Sequence, residues 1–212
     1  MKVKVCGITS YEDAAMALDQ GVDALGFNFF PSSPRYIQPE EARQIVRRLP
    51  PFVVAVGLFV NVARPDLVSE TARKAGVQVI QLHGDETPEY CRDLADWPLI
   101  KAIRIGAAGI RENLAKYEVQ GFLLDARDDT LYGGTGRSFD WKLAKDIRCA
   151  CPVILAGGLN PENVREAIRI VQPYGVDVCS GVESAPGRKD PGRLKQFMNE
   201  VRNACDSSNF SR

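Results

Sequence analysis

The sequence predicts an α/β protein in which eight βα units close into a single-domain (β/α)8 barrel. Eight short, apolar, β-branched segments recur along the 212 residues at intervals of roughly 22 to 31 residues. Amphipathic segments lie between them, and strands that alternate with helices form parallel sheets through right-handed crossovers. Eight units in about 200 residues fit a small barrel. An open doubly wound sheet would use six or seven of these strands, but not all eight so evenly.

The elements are predicted in order from the N-terminus. Strands begin near Lys2, Ala24, Val53, Val77, Leu99, Gly121, Pro152 and Val176. Helical periodicity marks residues 11–20, 39–49, 66–75 and 161–171 between them. No linker or change of composition divides the chain, so we expect one barrel domain over residues 1–205. Residues 206–212 are polar, and we expect them to form a disordered tail.

Capping residues indicate where the helices begin and end. Glycine after a helix adopts the left-handed conformation without a steric penalty, which assigns helix ends to Gly21, Gly76 and Gly175. A capping side chain followed by proline marks a helix start, as at Thr87–Pro88, Asn160–Pro161 and Asp190–Pro191. Thr9 and Glu12 fit a capping box at the start of the first helix.

Composition and charge exclude several classes of function. The chain has 27 Lys and Arg residues and 27 Asp and Glu residues, so it has no overall attraction to nucleic acid or to anionic membranes. The longest apolar run, residues 52–60, is far shorter than the ~20 residues that span a bilayer. The first five residues are too short and too charged for a signal peptide. We therefore expect a cytoplasmic protein without nucleic-acid or membrane partners.

Cysteine usage indicates reduced thiols. The six cysteines have irregular spacing, at Cys6, Cys91, Cys149, Cys151, Cys179 and Cys205. Cys149 and Cys151 could form half of a metal site, but the chain has a single histidine and no second cysteine pair at zinc-finger spacing. No metal site is predicted.

In a (β/α)8 barrel the functional groups follow the carboxyl ends of the strands. The candidate positions are Cys6, Asn28, Asn61, His83, Arg104, Asp125, Gly157–Gly158 and Ser180–Gly181. The last two pairs follow the seventh and eighth strands, whose loops bind phosphate in many barrels. The alternative is that these glycines only form tight turns.

Cys6 and Asp125 end the first and sixth strands, which places them on opposing sides of the barrel mouth. A desolvated carboxylate can act as a general acid, and a cysteine can act as a base if its pKa is lowered. Such a pair suits removal of a proton at one atom and donation at another. The alternatives are a buried apolar role for Cys6, and a helix cap or an ion pair with Arg127 for Asp125.

Three further features have functional and structural interpretations. His83 ends the fourth strand, where it binds a ligand or makes a structural hydrogen bond. Arg35 lies in a stiff loop of prolines and aromatic residues, where it binds a carboxylate or stacks on its neighbours. The glycine cluster at residues 133–136 forms a loop over the site or a plain connector.

Several motifs occur in a fixed order between Lys2 and about Val201. They are KVCGIT (4–9), GFNF (26–29), SPRY (33–36), QLHGDE (81–86), LLD (123–125), GGTG (133–136), FDW (139–141), GGLNPEN (157–163) and SGVE (180–183). In this order they resemble the phosphoribosylanthranilate isomerase family of tryptophan biosynthesis. The resemblance implies a single-domain (β/α)8 barrel, in agreement with the periodicity.

The resemblance also implies an activity, an Amadori rearrangement of N-(5-phosphoribosyl)anthranilate. It implies Cys6 as the general base and Asp125 as the general acid, with neither redox cofactor nor metal. Substrate-binding residues would be Arg35 for the carboxylate, Asp177 for sugar hydroxyls, His83 in the pocket wall, and Gly157, Gly158, Ser180 and Gly181 for the phosphate. Cys179 replaces a residue that is often serine, and we expect it not to touch the acid–base pair. We expect a monomer or a homodimer.

Other functions remain possible at this stage. A Schiff-base aldolase on the same fold would need a lysine on an inner strand, and Lys101 is the candidate. A histidine-pathway isomerase would need aspartates at the ends of the first and fifth strands, whereas this chain has Cys6 and no aspartate near Ile103. A non-catalytic phosphate binder would need the glycine loops but not the acid–base pair.

Overall fold

The computed structural model describes residues 1–105, 113–125, 141–145, 147, 149 and 151–209, with the backbone alone at 142 and 206–209. Eight parallel strands pair in chain order, and β1 also pairs with β8, so the sheet is a closed barrel. The strands are β1 Lys2–Cys6, β2 Ala24–Asn28, β3 Val54–Phe59, β4 Val79–Leu82, β5 Leu99–Arg104, β6 Gly121–Asp125, β7 Val153–Ala156 and β8 Gly175–Val178. The predicted (β/α)8 barrel is confirmed, and each strand begins within two residues of its predicted start.

The helices that the described residues form lie outside the barrel. They are α1 Tyr11–Asp19, α2 Pro39–Val46, α3 Pro65–Ala75, α4 Pro88–Arg92, α5 Lys142–Lys145, α6 Val164–Val171 and α7 Pro191–Asn209, with 3-10 turns at Leu114–Lys116 and Ser180–Val182. After β8 the chain forms a small antiparallel hairpin, β9 Glu183–Ala185 with β10 Arg188–Lys189. None of the helices in the described ranges is long and apolar enough to cross a bilayer.

The alternation of side chains along the strands divides the interior of the protein into two layers. One face of each strand packs against the helices, as Val3 and Val5 of β1 do in the main core with Ala14 and Ala17 of α1. The opposite faces of β5, β6 and β7 form a separate buried cluster of Ala102, Leu123 and Ala156, with Ile100 and Ile154 packed against it. Cys6 and Asp125 belong to this second face by the two-residue period, so the barrel directs both toward its own mouth.

The caps of two helices correct the sequence-based interpretation. The Oγ atom of Ser10, not Thr9, caps α1 by accepting a hydrogen bond from the backbone N–H of Asp13. The Thr9 hydroxyl instead donates to the carbonyl of Gly187 in the hairpin after β8, at 2.6 Å. The predicted helix cap at Thr9 is therefore wrong by one residue, because the Thr9 hydroxyl is taken up by its hydrogen bond to Gly187.

The start of α6 is also later than predicted. Asn160 accepts hydrogen bonds from the backbone N–H groups of Glu162 and Asn163, which holds residues 161–163 as turns, and the helix begins at Val164. The Thr87 and Asp190 caps are confirmed by hydrogen bonds from the backbone N–H groups of Tyr90 and Arg193.

Two of the three helix ends that were predicted at glycines are confirmed. Gly21 and Gly76 have positive φ angles of 81° and 75°. At the end of α6, Gln172 adopts the left-handed conformation instead, and Gly175 is the first residue of β8. There a Cβ would lie 2.9 Å from the carbonyl oxygen of Lys2, so glycine at 175 permits close strand pairing. Helix α7 reaches Asn209, and residues 210–212 lie outside the described part, so the disordered tail stays a prediction.

Candidate active site

A cavity of about 440 Å³ opens at the carboxyl ends of the barrel strands. Its size is typical of small-molecule sites, which span ~300–1,000 Å³. Eight of the nine predicted site residues line it, namely Cys6, Arg35, His83, Asp125, Gly157, Gly158, Asp177 and Ser180. Gly181 does not line it. Asn28, Phe30, Ser33, Leu58, Val60, Leu159 and Cys179 complete much of the wall.

Cys6 ends β1 and is buried at the cavity wall, with 6% of its surface exposed. A hydrogen bond with the Cys179 side chain and the positive charges of Lys4 and Lys189 hold the pKa of the Cys6 thiol well below its ordinary value, outweighing the effect of burial. A Cβ at Gly26 on the neighbouring strand would lie 2.8 Å from Cys6 Sγ and 3.0 Å from Lys4 Nζ, so glycine there gives both groups their space. The arrangement therefore favours the thiolate over the thiol at Cys6, and the thiolate is the form of cysteine that accepts a proton.

Cys179 follows β8 and lies beside Cys6, so the expectation that it does not touch the acid–base pair is wrong. Its contact with the Cys6 side chain raises the pKa of Cys179, and burial acts in the same direction. Cys179 Sγ is also 4.0 Å from Lys189 Nζ and 3.8 Å from Glu183 Oε1. The contact therefore favours the thiol form of Cys179 and the thiolate form of Cys6.

Asp125 ends β6 in contact with His83. The Oδ2 atom of Asp125 is 3.1 Å from Nε2 of His83, and Nδ1 of His83 is 2.9 Å from the side-chain amide of Gln81. Both His83 and Asp125 are about one-fifth exposed, at the cavity wall. The alternative partner considered for Asp125, Arg127, lies outside the described residues.

A buried ion pair joins Lys4 to Asp177, which lines the cavity. Lys4 Nζ donates to both carboxylate oxygens of Asp177, each at 3.0 Å. Burial raises the pKa of Asp177 to about 7, although Lys4 opposes this shift. Burial acts to lower the pKa of Lys4. The negative charges and hydrogen bonds of Asp177 and Cys6 outweigh burial, so the pKa of Lys4 is raised. Lys4 thus neutralises two acidic groups of the site from inside the barrel.

Arg35 is held by an ion pair and not by stacking. Its Nε and Nη2 atoms donate to the Glu183 carboxylate at 2.6 to 3.1 Å. Glu183 also accepts from Lys189 Nζ at 2.9 Å, and Lys189 donates to the carbonyl of Cys6 at 2.6 Å. The third nitrogen of the guanidinium, Nη1, makes no hydrogen bond with a described residue. Among the described residues, the Nη1 edge of this arginine is therefore without a partner at the cavity.

The two glycine loops pack against each other after β7 and β8. Gly157 and Gly158 have φ angles of 89° and 66°, and none of the described residues accepts a hydrogen bond from their backbone N–H groups. A Cβ at Gly181 would lie 1.9 Å from the carbonyl oxygen of Leu159, so only glycine lets the loop after β8 pack against the loop after β7. Unpaired backbone N–H groups at a cavity are suited to bind an anion.

Comparison with known proteins identifies the family. The sequence profile of N-(5'-phosphoribosyl)anthranilate (PRA) isomerase matches residues 3–200. The chain belongs to the phosphoribosylanthranilate isomerase family. The predictions of family and enzyme class are thereby confirmed. The curated isomerase of Trichlorobacter lovleyi is 51% identical over 205 residues, which cover 96% of this chain and 99% of the relative. That of Geobacter sulfurreducens is 48% identical over 202 residues, covering 95% and 98%.

Solved phosphoribosylanthranilate isomerases have the same fold. The enzyme of Thermotoga maritima superimposes with a TM-score of 0.86 at 43% identity, over 96% of this chain and 99% of that chain. A second structure holds reduced 1-(o-carboxyphenylamino)-1-deoxyribulose 5-phosphate, with a TM-score of 0.81 and 41% identity over the same shares. A third consists of monomers made from the dimeric T. maritima enzyme, with a TM-score of 0.79 and 39% identity, again over 96% and 99%.

Lys101, the lysine that a Schiff-base aldolase would need, has a structural role in this isomerase fold. Its side chain is 2% exposed, and its ammonium group donates to the Glu86 carboxylate at 2.9 Å and to the Gly84 carbonyl at 2.7 Å. Lys101 is not among the residues that line the cavity. The structure gives it the role of joining β5 to the loop after β4.

Lys4, Gln81, Lys189 and Glu183 were not predicted from the sequence as parts of the isomerase site. Lys4 and Gln81 stand two residues before Cys6 and His83. Residues two apart on a strand share one face, so this spacing could have placed Lys4 and Gln81 on the inward face of the barrel. Glu183 and Lys189 come from the hairpin after β8, and no local pattern marked their contacts with Arg35 and Cys6. The predicted loop at 133–136 lies outside the described residues, and among those described no cluster suits a metal ion.

The buried ion pair of Lys4 and Asp177 yields a prediction about stability. Lys4→Met leaves Asp177 buried without its cation, and we expect the free energy of unfolding to fall by about 3 kcal/mol at about pH 8. Because its pKa is raised on folding, Asp177 favours the folded state fully below pH ~4, and this contribution is lost as the pH rises through about 7. The deficit should therefore shrink toward pH ~5. Urea unfolding at both pH values measures it.

The double variant Lys4→Met with Asp177→Leu is the control for this prediction. It removes the buried carboxylate together with its cation, so most of the lost stability should return. A single variant as stable as the native protein at the higher pH would contradict the assignment of Lys4 as the cation that compensates Asp177.

Proposed function

We propose that this chain converts N-(5-phosphoribosyl)anthranilate to 1-(2-carboxyphenylamino)-1-deoxyribulose 5-phosphate in tryptophan biosynthesis, with Cys6 as general base and Asp125 as general acid. The observation that carries the proposal is a buried thiol of lowered pKa, Cys6, that shares one cavity with Asp125 on the strand across the barrel. A family relative of 41% identity holds the reduced form of this product.

The reaction begins with proton donation by Asp125. Its carboxylic acid protonates the ring oxygen of the ribose, the bond from C1 to that oxygen breaks, and the anthranilate nitrogen supplies the electrons that form an iminium ion. His83, hydrogen-bonded to Oδ2 of Asp125, holds the carboxyl group in place. General acid catalysis by a positioned side chain typically contributes ~10²–10⁴ to the rate.

Cys6 then acts as the base. The iminium makes the proton on C2 acidic, and the Cys6 thiolate removes it while the electron pair moves toward nitrogen. The resulting enolamine takes a proton at C1 and loses one from the 2-hydroxyl group, which yields the ketone. The substrate's own nitrogen accepts the electron pair, so the chemistry requires neither redox cofactor nor metal ion.

Two anionic ends of the substrate would be held at two parts of the cavity. The Nη1 edge of Arg35, which has no partner among the described residues, is suited to the anthranilate carboxylate, since Glu183 occupies the other edge. The backbone N–H groups of Gly157 and Gly158, with the Ser180–Gly181 loop packed beside them, are suited to the phosphate. Asp177 at the cavity wall would contact a sugar hydroxyl. Anchoring both ends fixes the ribose between acid and base.

The same proposal assigns the partners of the chain. Its ligand is a phosphorylated small molecule, and the chain acts as a monomer or a homodimer. The relative from T. maritima is a dimer from which monomers have been generated. Sedimentation of this protein at several concentrations distinguishes the two states.

An activity assay tests the proposed function. Phosphoribosylanthranilate is generated in place, and the loss of its fluorescence is followed with and without the protein. We expect the protein to accelerate the loss far beyond spontaneous decay. No acceleration, together with binding of the product, would instead support a non-catalytic phosphate binder. Borohydride treatment in the presence of substrate tests the aldolase alternative. A Schiff-base aldolase would be trapped as a covalent adduct with its substrate, and the absence of an adduct excludes it.

A further inference from the structure

A chain of three side chains ends at the proposed general acid. Gln81 and His83 stand two residues apart at the end of β4, so their side chains share one face. The Gln81 side chain is completely buried, and its amide is 2.9 Å from Nδ1 of His83. On the other side of the imidazole, Nε2 is 3.1 Å from Oδ2 of Asp125. The amide therefore contacts the acid only through the histidine ring.

The protonation state of Asp125 sets the tautomer of a neutral His83. When Asp125 is a carboxylate, Nε2–H of His83 donates to it, and Nδ1 must accept a hydrogen bond. When Asp125 is protonated, its O–H donates to Nε2, and Nδ1–H must itself donate. A carboxamide is able to satisfy both states, with its N–H₂ group in the first and its oxygen in the second.

The surroundings of Gln81 leave its amide free to take both orientations. Its Oε1 atom is buried and has no hydrogen-bond partner among the described residues. Turning the amide by half a turn exchanges the satisfied end for the unsatisfied one, so among the described residues His83 alone selects the orientation. Gln78 and Gln120 differ in this respect, because their Oε1 atoms accept from the backbone N–H groups of Ala55 and Leu99.

We propose that Gln81 is a positioning residue whose amide turns with the tautomer of His83 and so supports Asp125 both before and after it donates its proton. This inference rests on the proposed function, in which Asp125 cycles between acid and carboxylate. The amide oxygen stabilises the arrangement with protonated Asp125, and the amide nitrogen stabilises the arrangement with ionised Asp125. Gln81 is buried and is not among the residues that line the cavity, so we expect it to act on turnover and not on substrate binding.

Two substitutions and a matched control test the inference kinetically. Gln81→Met removes both hydrogen-bonding groups at similar length, and we expect kcat to fall about tenfold while KM stays within about twofold. Gln81→Glu accepts but cannot donate, so it should not restore kcat although its size is conserved. Gln78→Met makes the same replacement beside β4 but outside the cavity, and its kcat should be unchanged.

The tautomer itself can be read directly, because His83 is the only histidine in the sequence. Histidine labelled with ¹⁵N gives one imidazole spectrum, which reports the nitrogen that carries hydrogen. We expect Gln81→Glu to add hydrogen at Nδ1 relative to the native protein. Unchanged kcat in both Gln81 variants would overturn the inference, and so would a fall in kcat with native imidazole signals. A native protein without isomerase activity would defeat the proposed function, whereas the spectra would still decide whether Gln81 sets the tautomer.

Discussion

Replacing Cys6 with alanine is expected to lower kcat by roughly 10³-fold, because general base catalysis contributes ~10²–10⁴ and the Cys6 thiol is the proposed base. The cavity stays intact, since alanine removes only the sulfur. Product binding should therefore persist, which titration calorimetry with the product measures beside steady-state turnover. Cys6→Ser should be almost as slow, because a hydroxyl group is far less acidic than this thiol.

Cys205→Ala is the control for the Cys6 variants, because Cys205 lies in α7, away from the cavity. It should retain native turnover and stability. Turnover of Cys6→Ala close to that of the native protein would mean that another group is the base, and the mechanism proposed above would then be wrong.

The second large effect is expected for Asp125→Asn. The amide has almost the same shape as the carboxyl group but cannot release a proton to the ribose ring oxygen, so kcat should fall by roughly 10²–10³-fold. Binding of the open-chain product, which needs no proton donor, should change little. Steady-state kinetics and product titration of the same preparation separate the two quantities.

Asp85→Asn provides the matched control for that substitution. Asp85 follows β4 near the mouth but is exposed and bonded to Asn61 outside the cavity. We expect native turnover for this variant. Loss of product binding in Asp125→Asn, in place of loss of turnover, would assign Asp125 to substrate binding and not to proton transfer.

Much of the fold follows from local sequence signals, because each strand and each crossover has its own apolar pattern. The errors occur where a distant contact competes with a local one. Thr9 fits a capping box, but its hydroxyl bonds to Gly187 and leaves the cap to Ser10. Gly175 fits a helix end, but its small size is needed for close pairing with Lys2.

In the site, too, local signals were sufficient for some residues, and distant contacts decided the rest. The strand ends predicted Cys6, His83 and Asp125 because position in a barrel fixes where such residues point. The electrostatic environment of Cys6 was not predictable in this way. Lys189 and Cys179 reach it from the end of the chain after β8, and their effect on its pKa depends on burial and distance.

These contacts explain how a cysteine can serve as a base at neutral pH. Lys4 and Lys189 contribute positive charge and Cys179 contributes a hydrogen bond, which together stabilise the thiolate. Other cysteines of the chain have the opposite environment, since burial raises the pKa of Cys91 to about 11 and also raises that of Cys151. The proposed chemistry of this cavity depends above all on the lowered pKa of the Cys6 thiol.

The pH dependence of Cys6 alkylation by iodoacetamide, measured beside the pH dependence of kcat/KM, tests this claim most directly. The thiolate is the reactive form, so the alkylation rate reports its fraction at each pH. We predict that Cys6 reacts with a midpoint well below the ~8.5 of an ordinary thiol, and that the product protects it. The rise of kcat/KM should share that midpoint. A midpoint at or above the ordinary value, or a kcat/KM profile independent of Cys6 ionisation, would contradict the account.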